Sequence, residues 1–535
     1  MKTPARVLNR RAFVKLSSAA AAAPMLFGGC VSAGRRGGFV LEEATIPDLQ
    51  GAMATGRQTA ESLTRAYLGR IARLDKAGPK LNSIIELNPD ALDIARRLDA
   101  ERKAKGPRGP LHGIPVLLKD NIGTRDRMMT TAGSLALAGF IAPRDATVAR
   151  KLREAGAVIL GKTNLSEWAN FRGDRSTSGW SGRGGQTRNP YVLDRNPSGS
   201  SSGSAVAVSA NLCAFAIGTE TDGSIVSPAS HCGIVGLKPT VGLVSRAGII
   251  PISHSQDTAG PMTRTVTDAA IVLGWLAGAD GRDSATARSQ SGDYSRHLDV
   301  NGLKGARIGV ARKFFGRGAK ATAVLNQAVE VLKGAGAEII DPAELPAHGQ
   351  FGAAEMQVLL YEFKDGLNRY LASLGPEAPV RTIEEVIAFN EQHRDRELAA
   401  FGQETMIRSR DKGALTEPEY LEALEKSKRL AGKEGIDAVM DEHRLDAIIA
   451  PTAGPAGTID YLYGDRGEGG SSGPAAVAGY PSITVPAGRH AGLPIGISFF
   501  GRAWSEGSLI QFAFAFEQQS KARVRPGYLP TLAAG

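Results

Sequence analysis

Cysteine is scarce: three in 535 residues, which excludes a fold built on disulfides. Cys30 falls in the leader, so only Cys213 and Cys232 remain in the body. Cys213 sits between an apolar helical stretch and a strand, where a buried thiol is expected. Histidine is equally uninformative. The eight are scattered in unlike contexts, and none stands at a spacing that suggests a metal site or a histidine-based triad. No cofactor and no metal are expected. There is no basic run interleaved with aromatics either. Of the net charge of +10, five units (Lys2, Arg6, Arg10, Arg11, Lys15) lie in the first fifteen residues, leaving 59 basic against 54 acidic, or +5. That balance reads against a nucleic-acid partner.

The leader has a pattern of its own. Asn9-Arg-Arg-Ala-Phe-Val-Lys15 precedes a weakly apolar stretch, Leu16–Phe27, too short to span a bilayer as a mature helix. Twin arginines before such a stretch look like a Tat export signal. Residues 1–33 are therefore expected to be a signal peptide and the mature protein periplasmic. Two processing sites compete. Leu26-Phe-Gly-Gly-Cys30 is a loose lipobox that would leave a lipid on Cys30 and tether the protein to a membrane. Val31-Ser-Ala33 is a small-residue site.

Beyond the leader, Leu41–Leu74 has helical periodicity with breaks, and Ala91–Lys105 and Thr147–Ala155 read as helices. From Leu117 to Pro261 short apolar runs alternate with Gly-rich turns, as buried strands of an α/β sheet do. Ala157–Leu160 and Ala214–Ile217 are strands, and Ala205–Leu212 is a small-residue helix. A βα pattern follows at Arg307–Ala311 and Ala321–Gly334. Residues from Gly349 to Arg444 are helix-rich, and Leu445–Ala450, Ser482–Val485 and Pro494–Phe500 return as strands. Gly464–Gly473 reads as a loop. No repeat and no long linker divides the chain, which favours one large domain. Gly156-Ala-Val-Ile-Leu-Gly-Lys162-Thr163 satisfies the P-loop pattern, but its four intervening residues want to be the strand itself. It reads as a buried strand with a polar edge.

Chemistry is concentrated in three motifs. Gly113-Ile-Pro-Val-Leu-Leu-Lys119-Asp-Asn carries a lysine on an apolar approach. Asn196-Pro-Ser-Gly-Ser200-Ser201-Ser-Gly-Ser-Ala and Gly218-Thr-Glu-Thr221-Asp222-Gly223-Ser224-Ile are Gly/Ser loops, their key serines 24 positions apart (224 − 200). Such loops bring backbone N–H groups to one point. Serine needs a base, and desolvation is how a lysine becomes neutral enough to serve. Asp120, next along a strand, is expected on the opposite face.

In these motifs, in this order, the chain resembles the amidase signature family. The resemblance covers residues 41–530. Within the family it looks most like the peptide amidases, on Gly161–Phe171, Gly242–Ser253, Ser255–Met262 and Leu360–Lys364. The resemblance implies an α/β fold, a single domain with a mixed, twisted central sheet flanked by helices. It implies a Ser–cis-Ser–Lys triad: Ser224 the nucleophile, Ser200 the relay after a cis peptide bond, Lys119 the base. The N–H groups of Thr221, Asp222, Gly223 and Ser224 would hold the oxyanion, and Ser201 would support by hydrogen bonding. Lys238 would be structural, and no partner subunit would be required. The chain departs from the family's common wording at Asp222, Val226, Ser198 and Ser202, which disfavours the tRNA-dependent amidotransferase branch. The expected reaction is release of ammonia from C-terminal peptide amides. Aryl acylamides, fatty amides and cyclic oligoamides are the alternative. The substrate pocket is expected near Asn170–Trp180, Gly349–Leu367 and Asp460–Gly473.

Overall fold

Short runs of Val, Ile, Leu and Ala build the centre of the molecule. In the computed structural model, which describes residues 39–535 except 317, 318, 467, 468 and 533–535, they form thirteen strands. These are β1 (Ile84–Leu87), β2 (Pro115–Lys119), β3 (Val158–Thr163), β4 (Trp180–Ser181), β5 (Gly185–Gln186), β6 (Phe215–Glu220), β7 (Val235–Lys238), β8 (Thr258–Thr263), β9 (Arg307–Val310), β10 (Glu338–Ile340), β11 (Ala447–Pro451), β12 (Ser482–His490) and β13 (Leu493–Phe500). The leader, with Arg10, Arg11 and Cys30, lies outside the described residues.

Eleven strands make one sheet in the order β1-β3-β2-β6-β8-β7-β12-β13-β11-β9-β10, and β4 and β5 pair separately. β3, β2 and β6 run parallel, as do β11, β9 and β10. The pairs between β6 and β11 are antiparallel. The sheet is therefore mixed, as the resemblance implied, and residues 40–535 form one compact unit. Strands β2, β3, β6 and β8 are buried at every position, because helices cover both faces.

Most elements fall where the sequence put them, and the differences have local causes. The Leu41–Leu74 stretch becomes two capped helices, Ile46–Ala54 and Ala60–Arg70, before a π turn at Ile71–Lys76. β3 runs on through Lys162 and Thr163, so the lysine is an interior strand residue rather than a polar edge. Its Nζ donates to the Ile122 carbonyl at 2.6 Å and to Thr130 Oγ1 at 2.7 Å. A phosphate-cradling loop is thus excluded at Gly156–Thr163. A helix, Ser472–Ala478, starts at the end of the expected Gly464–Gly473 loop.

The helix Ser202–Ser209 packs directly on the sheet, and its small residues explain how. A Cβ on Gly203 would lie 2.3 Å from the Ser83 carbonyl and 2.5 Å from that of Asn164. Across the molecule, helix Gly352–Ser373 shares an apolar cluster with Leu165, Trp168, Ile250 and Ile252, from the loops after β3 and before β8. That packing sets the helix against the loops after β3 and before β8. Cys213 and Cys232 are free and buried, and burial pushes the Cys213 thiol up to about 12.

Candidate active site

β2 and β6 lie side by side and parallel, Val116 opposite Phe215 and Leu118 opposite Ile217. Their C-terminal ends bring Lys119 against Thr219. Lys119 is fully buried; its Nζ lies 2.8 Å from Ser200 Oγ, 2.9 Å from Thr219 Oγ1 and 3.2 Å from the Thr219 carbonyl. Asn121 Nδ2 donates to the same Thr219 Oγ1 at 2.9 Å. Burial pushes the Lys119 ammonium down to about 7, against the pull of the Asp257 and Glu220 carboxylates. Asp120 turns the other way. Its Oδ2 accepts from Thr131 Oγ1 and the Gly133 N–H, with Arg183 at 3.4 Å.

Ser200 is buried, and the Gly199–Ser200 peptide bond is cis. Position 199 has no space for a side chain: a Cβ there would stand 2.2 Å from Ser166 Oγ. Ser201 donates its N–H to the Ser224 carbonyl at 3.1 Å. Its Oγ donates to the Thr219 carbonyl at 3.0 Å and accepts the Thr219 N–H at 3.2 Å. Ser201 thus ties the two serine loops and the lysine's neighbour together. The Ser200 hydroxyl is bonded to Lys119, and no hydrogen bond joins it to Ser224 among the described residues.

Ser224 is 7% exposed, at the open end of the loop after β6. The N–H groups of Thr221, Asp222, Gly223 and Ser224 have no acceptor among the described residues. Gly223 has φ 75°, a left-handed conformation that curves the loop. Successive free N–H groups in such a turn form an anion-binding concavity. The loop is clamped from behind. Glu220 Oε2 accepts from the Ile225 and Val226 N–H groups at 2.7 and 3.0 Å. Thr221 Oγ1 donates to Asp257 at 2.6 Å, and Gln256 Nε2 donates to the Thr221 carbonyl at 3.3 Å. Burial pushes the Asp257 carboxyl up to about 6.

Sequence reasoning gives no role to Thr219, Glu220, Gln256, Asp257 or Glu355. Thr219 and Glu220 stand inside one of the motifs, and Gln256 and Asp257 inside another. Their signal is present, but nothing local shows that two motifs meet. The expected pocket segments do converge. Asp465 accepts from the Ser178 N–H at 2.9 Å and from Asn196 Nδ2 at 2.7 Å, and Thr177 Oγ1 donates to the Asp460 carbonyl at 2.8 Å. Beside them a cavity of about 250 Å3 is lined by Asn196, Ser198, Ser227, His231 and Asp465 among others. Glu355, on helix Gly352–Ser373, reaches Gln256 from the far side at 3.1 Å.

Residues 62–510 match the model of the Amidase family. The chain belongs to the amidase family. It is a hydrolase of amide bonds. The structure of native peptide amidase from Stenotrophomonas maltophilia is 54% identical to it, with a TM-score of 0.87 over 91% of this chain and 99% of that one. A probable amidase of Arabidopsis thaliana is 44% identical over 92% of this chain and 93% of its own length. A glutamyl-tRNA(Gln) amidotransferase chain of Thermoanaerobacter pseudethanolicus is 36% identical over 91% of this chain and 98% of its own length. The amidotransferase relatives thus stand further away than the peptide amidase.

Proposed function

We propose that this amidase is a serine enzyme that releases ammonia from the C-terminal amides of peptides. The observation that carries the reading is the 2.8 Å contact of a buried lysine with Ser200 beside the loop of free N–H groups that holds Ser224. With Lys119 neutral, the Ser200 hydroxyl donates to its Nζ. Ser224 passes its proton to Ser200 as Ser200 passes its own to Lys119, and Ser224 Oγ attacks the carbonyl carbon. The N–H groups of Thr221, Asp222, Gly223 and Ser224 receive the oxyanion. As the intermediate collapses, the C–N bond breaks and the proton returns through Ser200 to the leaving nitrogen, which departs as ammonia. Water then cleaves the Ser224 ester by the same relay. No cofactor and no partner subunit take part.

The likeness to the Stenotrophomonas peptide amidase supports the peptide substrate. Both a terminal carboxamide and an internal peptide bond offer Ser224 a carbonyl, so selection rests on steric exclusion of a continuing chain on the leaving-group side. A blocked dipeptide amide, the same peptide extended by one residue, an acetanilide and a long-chain fatty amide are compared by product release. The dipeptide amide is expected to release ammonia and the extended peptide to stay intact at the same bond. An untouched dipeptide amide with turnover of the anilide or fatty amide transfers the assignment to those amides.

We propose also that the protein is exported by the twin-arginine route. Arg10→Lys with Arg11→Lys is expected to hold the precursor in the cytoplasm. Intact mass separates a lipidated Cys30 start from a Gly34 start.

A further inference from the structure

We infer that Gln256 is a positioning residue for this reaction: its side chain, donating to the Thr221 carbonyl, fixes the plane of the Thr221–Asp222 peptide and so aims the Asp222 N–H at the oxyanion. The inference rests on the proposed role of residues 221–224 and adds a residue 32 positions from the nucleophile (256 − 224).

A trans peptide is planar, and its C=O and N–H point in opposite directions. The Thr221–Asp222 bond is trans, since the cis bonds among the described residues are Gly199–Ser200 and Asp341–Pro342. Whatever holds the Thr221 carbonyl therefore sets the direction of the Asp222 N–H. Gln256 Nε2 donates to that carbonyl at 3.3 Å, and no other donor reaches it among the described residues. A carbonyl only accepts, so the nitrogen of the Gln256 amide must face it. The two sides of the peptide differ in the same sense. Thr221 and Gln256 are buried, at 8% and 2% exposed, whereas Asp222 is exposed. The carbonyl points into the protein and the N–H toward the open side, where it has no acceptor among the described residues.

Gln256 is itself held at two points by helix Gly352–Ser373. Glu355 Oε1 accepts from the same Nε2 at 3.1 Å. Glu362, seven positions on (362 − 355) and so on the same face of the helix, is fully buried. Its Oε2 accepts from the Ser255 N–H and from Ser255 Oγ, each at 3.0 Å, which fixes the backbone before Gln256. Asp257 restrains Thr221 differently, accepting from its Oγ1 at 2.6 Å. That contact holds the residue by its side chain and leaves the peptide beyond its Cα free to turn about the two soft dihedrals that flank it. Without Gln256, such a rotation carries the carbonyl round to the open side, and a donor to the oxyanion is replaced by an acceptor that repels it.

The test is ammonia release from a blocked dipeptide amide, with kcat and KM measured, together with inhibition by the matching peptide aldehyde and peptide acid. Ser224 Oγ adds to the aldehyde carbon, its proton passing through Ser200 to Lys119, and the former carbonyl oxygen takes the place of the oxyanion. The acid binds without that bond. Gln256→Met keeps the volume and removes the donor. It should lose kcat about tenfold to a hundredfold with KM within about threefold. It should weaken the aldehyde by about the same factor and leave the acid within about threefold. Gln256→Met combined with Glu355→Leu leaves no buried carboxyl without its partner and should show the same loss of kcat, with melting curves giving the folded fraction. A kcat within about threefold of wild type in the combined variant overturns the inference, as does a loss that falls on KM alone or an unchanged aldehyde affinity. Fluorophosphonate labelling separates this inference from the reading it rests on. Failure to label Ser224 in wild type sinks the nucleophile, and with it this inference. Normal labelling with wild-type kcat in the combined variant sinks the role of Gln256 alone.

Discussion

Lys119 and Lys238 end two strands of one sheet, β2 and β7, and both are fully buried. Burial weakens both ammonium groups, to about 7 and about 8. Their neighbours then divide them. Lys238 Nζ donates to the carbonyls of Pro239 at 3.1 Å and Tyr480 at 2.6 Å, and the Glu220 and Glu506 carboxylates pull toward the charged form. Carbonyls only accept, so those partners offer the lysine no proton. Lys119 meets a hydroxyl, which can give a proton to a neutral amine. A buried lysine is a base only where its partner is a donor. Lys162 follows the Lys238 pattern in part: burial pushes it down to about 8, but one of its two partners is a carbonyl. The other, Thr130 Oγ1, leads to no nucleophile.

The comparison can be broken by substitution. Ser224→Ala should have the largest effect, a fall in kcat of about four orders of magnitude or more with the fold intact, since under the proposed mechanism it deletes the covalent route. Lys119→Met should cost about three orders of magnitude, because the proposed relay acts as a unit, and it should leave the melting temperature near that of wild type or above it. Lys238→Met should reverse the signs. It strands two carbonyls and the Glu220 carboxylate, so it should destabilise by about 2–4 kcal/mol, while kcat per folded molecule stays within about tenfold. Equal activity losses in the two lysine variants would erase the distinction. Asp257→Asn should have the smallest effect. Asp257 holds the Lys119 pKa up, so its neutralisation should move the rising limb of kcat to a pH below about 7. A limb that moves upward contradicts the assignment.

The part of the site that can be read in the sequence is the part that chemistry fixes locally. A lysine after Ile-Pro-Val-Leu-Leu announces its own desolvation, and Gly-Ser loops announce turns that expose N–H groups. The buried strands are legible for the same reason, each being an apolar run between turns. The order of the eleven strands is not, because β7 pairs with β8 and β12, and β12 lies more than 200 residues further on. Glu355 sits in a segment expected to shape the pocket, yet nothing in Gly352–Ser373 shows which turn meets Gln256. Lys162 reads as the polar edge of a buried strand because the apolar run Ala157–Leu160 stops before it. The bonds that make it tolerable inside, to Ile122 and Thr130, come from residues 40 and 32 positions away.

The central claim is that Lys119, neutral near pH 7, draws the proton of Ser224 through Ser200. The direct measurement is the rate at which a fluorophosphonate acylates the protein across pH, with the modified residue located by peptide mapping, in wild type and in Lys119→Met. Wild type is expected to be labelled at Ser224, at a rate that rises through a single ionisation near about 7, and Lys119→Met to lose that rise together with most of the rate. Labelling at another residue, or the same rise in Lys119→Met, would contradict it.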